Sequence, residues 1–228
     1  MTYLIILFTI AITVGAYLLC RSLSLRYCNP LVNVVILSAA LIIAVLFTCE
    51  LSYEVYIPGK DIMTFLLGPA TVALAVPLYK NKNLLKQYLI PILVVIGAGS
   101  LVSIVTAMLI ARLGELPREV VISIATKSVT IPFAVEIAKI AGGSPSLAAA
   151  FVVATGTIGS ILGPILLTWF QIKSPIARGL SLGTVCHGQG VAMALMEGEE
   201  QGSMAGVAMA LAGIFTSVVG PFLIPLLL

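Results

Sequence analysis

The sequence predicts an all-α, polytopic membrane protein of seven or eight membrane segments, three of them interrupted helices as in transporters. Of its 228 residues, 60% are hydrophobic and only 9% are charged, and the mean hydropathy is +1.17. A soluble domain carries about 25% charged residues, so this composition fits a chain whose solvent is the bilayer. Helices are the expected element, because an open strand cannot pair its backbone groups in hydrocarbon.

Continuous apolar stretches of membrane-crossing length recur along the chain. Crossing takes about 20 predominantly apolar residues, and five stretches qualify: 2–20, 31–49, 88–112, 146–170 and 203–227. The first has no basic start and no small-residue cleavage site, so we expect a retained span rather than a signal peptide. The connectors are short, which predicts a single integral-membrane domain over 1–228, with two peripheral spans in 1–60 and the core in 61–228.

Three further apolar stretches, 62–79, 119–140 and 176–196, are interrupted by proline, glycine or polar residues. The residues expected to break these helices are Pro69, Pro132, Gly188 and Gly190. The interruptions recur at intervals of about 60 residues, and corresponding interrupted segments of this kind point to a transporter binding site. Whether each segment crosses the membrane or re-enters it stays open at this point.

The charges of the connectors predict the orientation in the membrane. The positive-inside rule places two basic connectors in the cytoplasm and the N-terminus outside; their charged residues are Arg21, Arg26, Lys80, Lys82 and Lys86. If all eight segments crossed, Arg178 would lie outside and Glu197 inside, against that rule. If 119–140 instead enters and leaves the membrane on the same face, Arg178 lies in the cytoplasm and Glu197 lies outside. The charge pattern therefore favours one re-entrant segment, and in this arrangement Arg178 and Glu197 lie on opposite faces of the membrane.

Lys127 is the strongest candidate for a functional side chain. A charged residue at the centre of a bilayer costs about 2.5–3.5 kcal/mol, so it normally faces a cavity or a partner. Ser128 and Thr130 supply hydroxyls beside it, and Pro132 removes a helix hydrogen bond. A fixed cation next to unwound backbone and a helix N-terminus predicts a site for a small carboxylate. The alternatives are a lysine that reaches the membrane surface, or one that pairs with Glu136.

His187 is the only histidine, and it lies in the glycine-rich sequence GTVCHGQG. An imidazole titrates near neutral pH, so it suits proton coupling or donation to a bound anion. Thr184, Gln189, Thr71 and Thr155 are further polar residues expected to line a substrate cavity. The alternative is a buried histidine that is satisfied by a neighbouring carbonyl group.

Other function classes find no support in the sequence. The four cysteines show no zinc-ligand spacing, so neither a metal nor a cofactor is predicted. No basic run with interleaved aromatic residues is present, which argues against nucleic-acid binding. With one histidine and few acids, the usual hydrolytic constellations cannot be assembled, and we expect no enzyme.

Four stretches resemble the LrgB/CidB/YohK family: FLLGPATVALAVPLYKN, TKSVTIPFAVEIAKIAGG, ARGLSLGTVCHGQG and AGVAMALAGIFTSVVGPF. The likeness covers essentially the whole chain, and it extends to the C-terminal half of the plant plastid glycolate/glycerate translocator. It implies a bacterial cytoplasmic (inner) membrane protein that transports small monocarboxylates such as glycolate, glycerate or pyruvate. A small LrgA/CidA-like membrane protein would be its partner, in a homo- or hetero-oligomer. The resemblance equally implies an alternative, an antiholin-like regulator of murein hydrolase activity and lysis without transport of its own.

The chain departs from the family pattern at two places. Thr126 stands where the family often has proline, and the motif HxxGTARA has Val191 and Met193 in place of its threonine and arginine. The second change removes another candidate cation from the third interrupted segment, a departure that bears on the choice of substrate and on transport itself.

Overall fold

The structure is a computed structural model that describes residues 2–27, 34–66, 75–80 and 82–228, together with positions 69 and 72. Within these residues the regular elements are helices and no strand occurs. The chain forms two compact units, Met1–Val72 and Ala73–Leu228.

The first unit contains α1 (Thr2–Tyr27), α2 (Val34–Thr48) and α3 (Tyr53–Phe65). The long helix α1 packs against both others. The hydroxyls of Thr13 and Tyr56 lie 2.7 Å apart and join α1 to α3 by a hydrogen bond. Gly59 lies against the buried Thr9, where a larger side chain would collide with the threonine hydroxyl. A small residue thus allows two apolar helices to approach closely.

The second unit contains the remaining described helices. They are α4 (Ala75–Lys80), α5 (Lys82–Gln87), α6 (Leu89–Leu113), α7 (Arg118–Ala125), α8 (Ile131–Ala141), α9 (Pro145–Trp169), α10 (Pro175–Glu197) and α11 (Glu199–Leu226).

Four described helices are long and apolar enough to cross a membrane: Tyr3–Tyr27, Leu89–Leu113, Pro145–Trp169 and Glu199–Leu226. They confirm four of the five continuous spans expected from the sequence. The fifth, 31–49, corresponds to the shorter apolar helix α2, and its first residues, 31–33, lie outside the described residues. Most of the interruption expected within 62–79 also lies outside them. Of its residues, Pro69 is described only as an isolated exposed position.

Helices α7 and α8 form a hairpin rather than one straight helix. The backbone leaves the helical conformation between Ala125 and Ile131. Beyond this break α8 turns back, because the Ser123 Oγ accepts a hydrogen bond of 2.9 Å from the backbone N–H of Ser144. Gly143 packs against Ile122 at the same place. The last turn of α7 therefore meets the residues that follow α8.

Helix α10 also folds back on itself. His187 has φ 42° and ψ −129°, which interrupts the helix near its middle. The Arg178 guanidinium contacts the Glu197 carboxylate through two hydrogen bonds of 2.6 Å, although the residues are 19 positions apart. A continuous helix rises about 1.5 Å per residue and would separate them by about 28 Å. The two limbs of α10 therefore run antiparallel, and Arg178 and Glu197 lie at the same end.

This ion pair corrects the prediction that Arg178 and Glu197 lie on opposite faces of the membrane. The length of an apolar segment does not distinguish a helix that crosses the membrane from a hairpin of the same length. The positive-inside rule was applied to a crossing helix, so it placed the two ends of 176–196 on opposite faces. Arg178 is bound further by the carbonyl oxygen of Ile172, 3.0 Å from its Nη1. The pair is mostly buried, with 14% and 17% of the two side chains exposed.

Helix α11 packs against both limbs of α10 through glycines. Gly183 lies against the backbone of Ala205, and Gly202 lies against Leu195 of the returning limb. Helix α11 runs in the same direction as α6, because Ile92 clusters with Ala208 near their starts. At their far ends, Arg112 Nη1 donates to the carbonyl oxygen of Leu227 at 2.6 Å.

Local sequence signals explain where the hairpins join the long helices. Ser144 and Ser174 are N-caps whose side chains accept from backbone N–H groups, and each is followed by a proline in the first turn. A serine at the N-cap and a proline in the first turn both favour the start of a helix. Gly142 ends α8 in the left-handed conformation, φ 82°, which glycine adopts without steric penalty.

Exchanging the two charges tests the α10 hairpin. We expect Arg178→Glu and Glu197→Arg each to lower the free energy of unfolding by about 3 kcal/mol, because each leaves a mostly buried charge unpaired. The double exchange should restore part of this loss, as measured by thermal unfolding in detergent. Lys60→Ala is the control, since an exposed ion pair such as Lys60–Asp61 contributes little to the free energy of unfolding. Strictly additive losses in the double variant would contradict the direct contact.

Candidate functional site

The break between α7 and α8 carries Lys127 into the interior of the second unit. Its Nζ donates to Ser103 Oγ and to Ser128 Oγ, both at 3.0 Å. Ser103 Oγ in turn donates to Ser128 Oγ at 2.8 Å. The ammonium group and the two hydroxyls thus form a closed triangle that joins the spanning helix α6 to the tip of the α7–α8 hairpin.

Lys127 has no carboxylate within ion-pairing distance among the described residues. The ion pairs in that part of the chain are Lys60–Asp61 and Arg178–Glu197. Glu136 is exposed, so the predicted alternative of a Lys127–Glu136 pair is not formed. Lys127 itself is half-buried and Ser128 is buried. A cation held only by neutral oxygens inside an apolar unit retains its attraction for an anion.

Thr130 lies on the other side of the break, at the N-cap of α8. Its side chain makes no capping hydrogen bond. Its Oγ1 is the buried side-chain polar atom without a hydrogen-bond partner in the described part of the chain. Pro132 occupies the first turn of α8, where a missing N–H does not disturb the helix. The hydroxyl of Thr130 therefore keeps its hydrogen-bonding capacity next to a helix N-terminus.

A small cavity of about 10 Å³, lined by both hydroxyl-bearing and apolar side chains, adjoins the Lys127 triangle. It is lined by Ser100, Ser103, Ile104, Ala125, Ser128, Val129 and Thr216. This volume holds about one water molecule, so a carboxylate could enter only after the surrounding helices separate.

The tip of the α10 hairpin places His187 against α9. His187 is buried, and its Nε2 lies 3.0 Å from the carbonyl oxygen of Val152. Because a carbonyl can only accept, Nε2 carries a proton in this arrangement. Gly156 lies directly beneath the imidazole ring. A non-glycine residue with φ 42° is strained, and such strain persists only where the surroundings hold it.

Of the other predicted site residues, Thr184 and Gln189 lie on α10 and Thr155 lies on α9. Thr184 is buried, and its hydroxyl donates to Leu180 of its own helix at 2.7 Å. Gln189 Oε1 accepts from Thr157 at 3.1 Å, which ties the returning limb of α10 to α9. Thr155 is half-buried on α9. Thr71 lies outside the described residues.

Gly188 and Gly190 were expected to break the third segment, yet the dihedral break lies at His187 itself. Gly188 has open space around it. Gly190 has another role, because a Cβ there would collide with the carbonyl oxygen of Leu182 on the opposite limb. Gly190 therefore allows the two limbs to approach, while the backbone of His187 makes the turn.

The two hairpin tips lie near one another. Val152 links the tips, since its side chain packs in one cluster with Val129 and its carbonyl binds His187. The arrangement brings a fixed cation, hydroxyl groups and an imidazole into one region, which suits the binding of a small anion.

Ser103 is the main residue that the sequence patterns did not reveal. It lies in the middle of a continuous apolar span, where a single serine usually satisfies its own helix backbone. The sequence does contain one indication of a polar site on α6. Ser100 and Ser103 are three residues apart, so they lie on the same face of the helix. Among the described residues no cluster of histidine, cysteine, aspartate and glutamate could hold a metal ion.

Comparisons with known proteins agree on one family. The family model described as "LrgB-like family" matches residues 13–226. The chain is 34% identical to "Uncharacterized protein YwbG" of Bacillus subtilis over 93% of this chain and 95% of that protein. It is 33% identical to "Holin-like protein CidB" of Staphylococcus epidermidis and 31% identical to that of Staphylococcus aureus, over 97% of each chain. No solved structure matches the chain.

A methyl group added at Gly156 tests the seating of His187. A Cβ there would lie 2.5 Å from Cε1 of His187 and 3.1 Å from Cδ of Gln189. We expect Gly156→Ala to lower the free energy of unfolding by about 2 kcal/mol through overpacking. Gly188→Ala is the matched control, since its Cβ would meet nothing within 4 Å. Equal thermal stability of the two variants in detergent would refute the described packing of the tip.

Proposed function

The chain belongs to the LrgB-like family, and from that premise we propose that it is a membrane carrier for small monocarboxylates of the glycolate, glycerate and pyruvate type. One observation carries the proposal. The Lys127 ammonium group lies inside the second unit and contacts only serine hydroxyls among the described side chains. A buried cation that lacks a fixed counter-charge is unfavourable in a membrane unless an anion neutralises it during the functional cycle.

The proposed site assigns a role to each group near the hairpin tips. Lys127 neutralises the carboxylate, and the hydroxyls of Ser128 and Thr130 bind its oxygens. The orphaned Oγ1 of Thr130 supports this role, since a buried hydroxyl normally has a partner. His187 acts from the opposing tip as a proton or hydroxyl partner. The polar residues Thr184, Gln189, Thr71 and Thr155 complete the lining.

We further propose that the two hairpins enter the membrane from opposite faces, within one LrgB-like domain of seven or eight segments. Two observations support it. The Arg178–Glu197 pair joins the ends of α10 at the start of α11, and the Ser123–Ser144 bond joins the last turn of α7 to the N-cap of α9. Because α9 is long enough to cross a membrane, these two junctions would lie on opposite faces.

The basic connector before α6 sets the orientation of this arrangement. Lys80, Lys82 and Lys86 would be cytoplasmic by the positive-inside rule, with the N-terminus outside. The α10 hairpin then enters from the cytoplasmic face and the α7–α8 hairpin from the outside. Tips that meet near the middle of the bilayer from both faces fit alternating access, in which each face opens in turn to one central site.

A second candidate function is favoured by the names of the relatives. The relatives from Staphylococcus epidermidis and Staphylococcus aureus are named holin-like proteins, which supports a regulator of murein hydrolase activity and lysis that transports nothing itself. In either function, a small LrgA/CidA-like membrane protein is the proposed partner, in a hetero-oligomer in the bacterial cytoplasmic membrane. Co-purification with such a protein, together with altered autolysis and no solute movement by the purified chain, would favour the regulator.

Uptake by proteoliposomes tests the carrier directly. With labelled pyruvate, glycolate and glycerate, we expect Lys127→Ala to lower uptake at least tenfold, because the charge that neutralises the substrate is gone. Lys139→Ala should transport like the unmodified chain, since Lys139 is exposed on the same segment. Equal uptake by the Lys127→Ala variant and the unmodified chain would remove Lys127 from the mechanism.

Cysteine labelling from each side of the membrane tests the two hairpins. In a chain without its native cysteines, single cysteines replace the exposed residues Lys173 and Glu199, which flank α10, and Glu115 and Ser146, which flank α7–α8. With an impermeant maleimide, we expect the first two positions to react from one face and the other two from the opposite face. Reaction of positions 173 and 199 from different faces would mean that α10 crosses the membrane.

A further inference from the structure

We propose that Ser103 of the spanning helix α6 is an anion-binding residue of the same site, alongside Lys127 and Ser128. The proposal rests on the carrier function above and deepens it by adding a binding group from a third element. Ser103 is half-buried, and its Oγ lies 3.0 Å from the Lys127 ammonium and 2.8 Å from Ser128 Oγ.

The hydrogen bonds of the triangle leave donors uncommitted. The ammonium group has three N–H donors, and each serine hydroxyl has one donor and accepts through its lone pairs. Two N–H groups bind the serine oxygens, and one hydroxyl proton joins the two serines. Whichever serine donates in that bond, one hydroxyl proton and one ammonium N–H remain free. The triangle therefore has two free donors, and one acceptor lone pair stays free on the serine that donates to the other.

A carboxylate satisfies this arrangement better than a neutral or cationic ligand does. Its two oxygens accept from both free donors, and hydrogen bonds to an ionised acceptor are about twice as strong as neutral ones. Without Ser103, Ser128 loses its neighbour and Lys127 loses one of the two oxygens that fix its position. The cavity lined by Ser100 and Thr216 lies on the same side of α6, so the approaching acid meets further hydroxyls.

The location of Ser103 gives it a part in coupling. It belongs to a helix long enough to cross the membrane, whereas Lys127 and Ser128 belong to the hairpin tip. The present contact between them closes the site around a cavity of about one water molecule. An anion that takes over these hydrogen bonds would bridge the two elements, so its arrival and departure would be linked to their separation.

The test measures ligand binding by the purified full-length chain through thermal stabilisation, with pyruvate, glycolate and glycerate as the probes. We expect Ser103→Ala to weaken binding of the acids about tenfold, the loss expected for one hydrogen bond to a charged group. Ser103→Thr keeps the hydroxyl and should retain binding. Thr106→Ala is the matched control on α6, because Thr106 is exposed and its hydroxyl binds its own helix. Pyruvamide, the neutral analogue, should stabilise none of these proteins.

The outcomes separate this proposal from the carrier function. Binding of the acids by Ser103→Ala as tight as by the unmodified chain overturns the role of Ser103 and leaves the carrier intact. Failure of all three acids to stabilise the unmodified chain overturns both. A purely structural role for Ser103 would lower the unfolding temperature without changing the dissociation constant, which also overturns the proposal. Ser103→Cys, which keeps the size and weakens the hydrogen bond, replaces Ser103→Ala if that variant does not fold.

Discussion

The burial of one ammonium group organises the second unit of this protein. A cation in hydrocarbon must be surrounded by polar atoms, because its isolated transfer from water is strongly unfavourable. Here the atoms come from a serine on a spanning helix and a serine at a helix break, not from an acid. The break between α7 and α8 is what allows the Lys127 side chain to lie inside. The same break leaves the buried hydroxyl of Thr130 without a hydrogen-bond partner at the N-terminus of α8.

The α10 hairpin meets this region from the other side, and small residues make that approach feasible. Gly156 accommodates the imidazole, and Gly183 and Gly202 let α11 touch both limbs of α10. At the open end of the hairpin the Arg178–Glu197 pair holds the limbs together. The strained backbone of His187 is therefore held between close helix packing on one side and an ion pair at the base. A tip held in this way can position an imidazole with little freedom of movement.

Family membership and the site geometry bear on function in different ways. The relatives named CidB connect the chain with proteins that are described as holin-like. The interior cation, the paired serines and the opposed hairpins concern what the molecule could bind. A carrier whose transport of an acid influences lysis would agree with both the family name and the site geometry. Transport and the regulation of lysis do not exclude one another. The proposed LrgA/CidA-like partner is where such a consequence would be exerted.

The sequence by itself determined the helical membrane class, four of the spans and the family, and it predicted a binding role for Lys127. Each of these follows from local composition, apolar length or a contiguous motif, which need no knowledge of neighbours in space. The tertiary structure decided how the interrupted segments run. A hairpin and a crossing helix have the same apolar length, so only the contact of Arg178 with Glu197 distinguished them. It also decided the partners of Lys127, because Ser103 lies 24 residues away along the chain and becomes its neighbour only when α7 packs against α6.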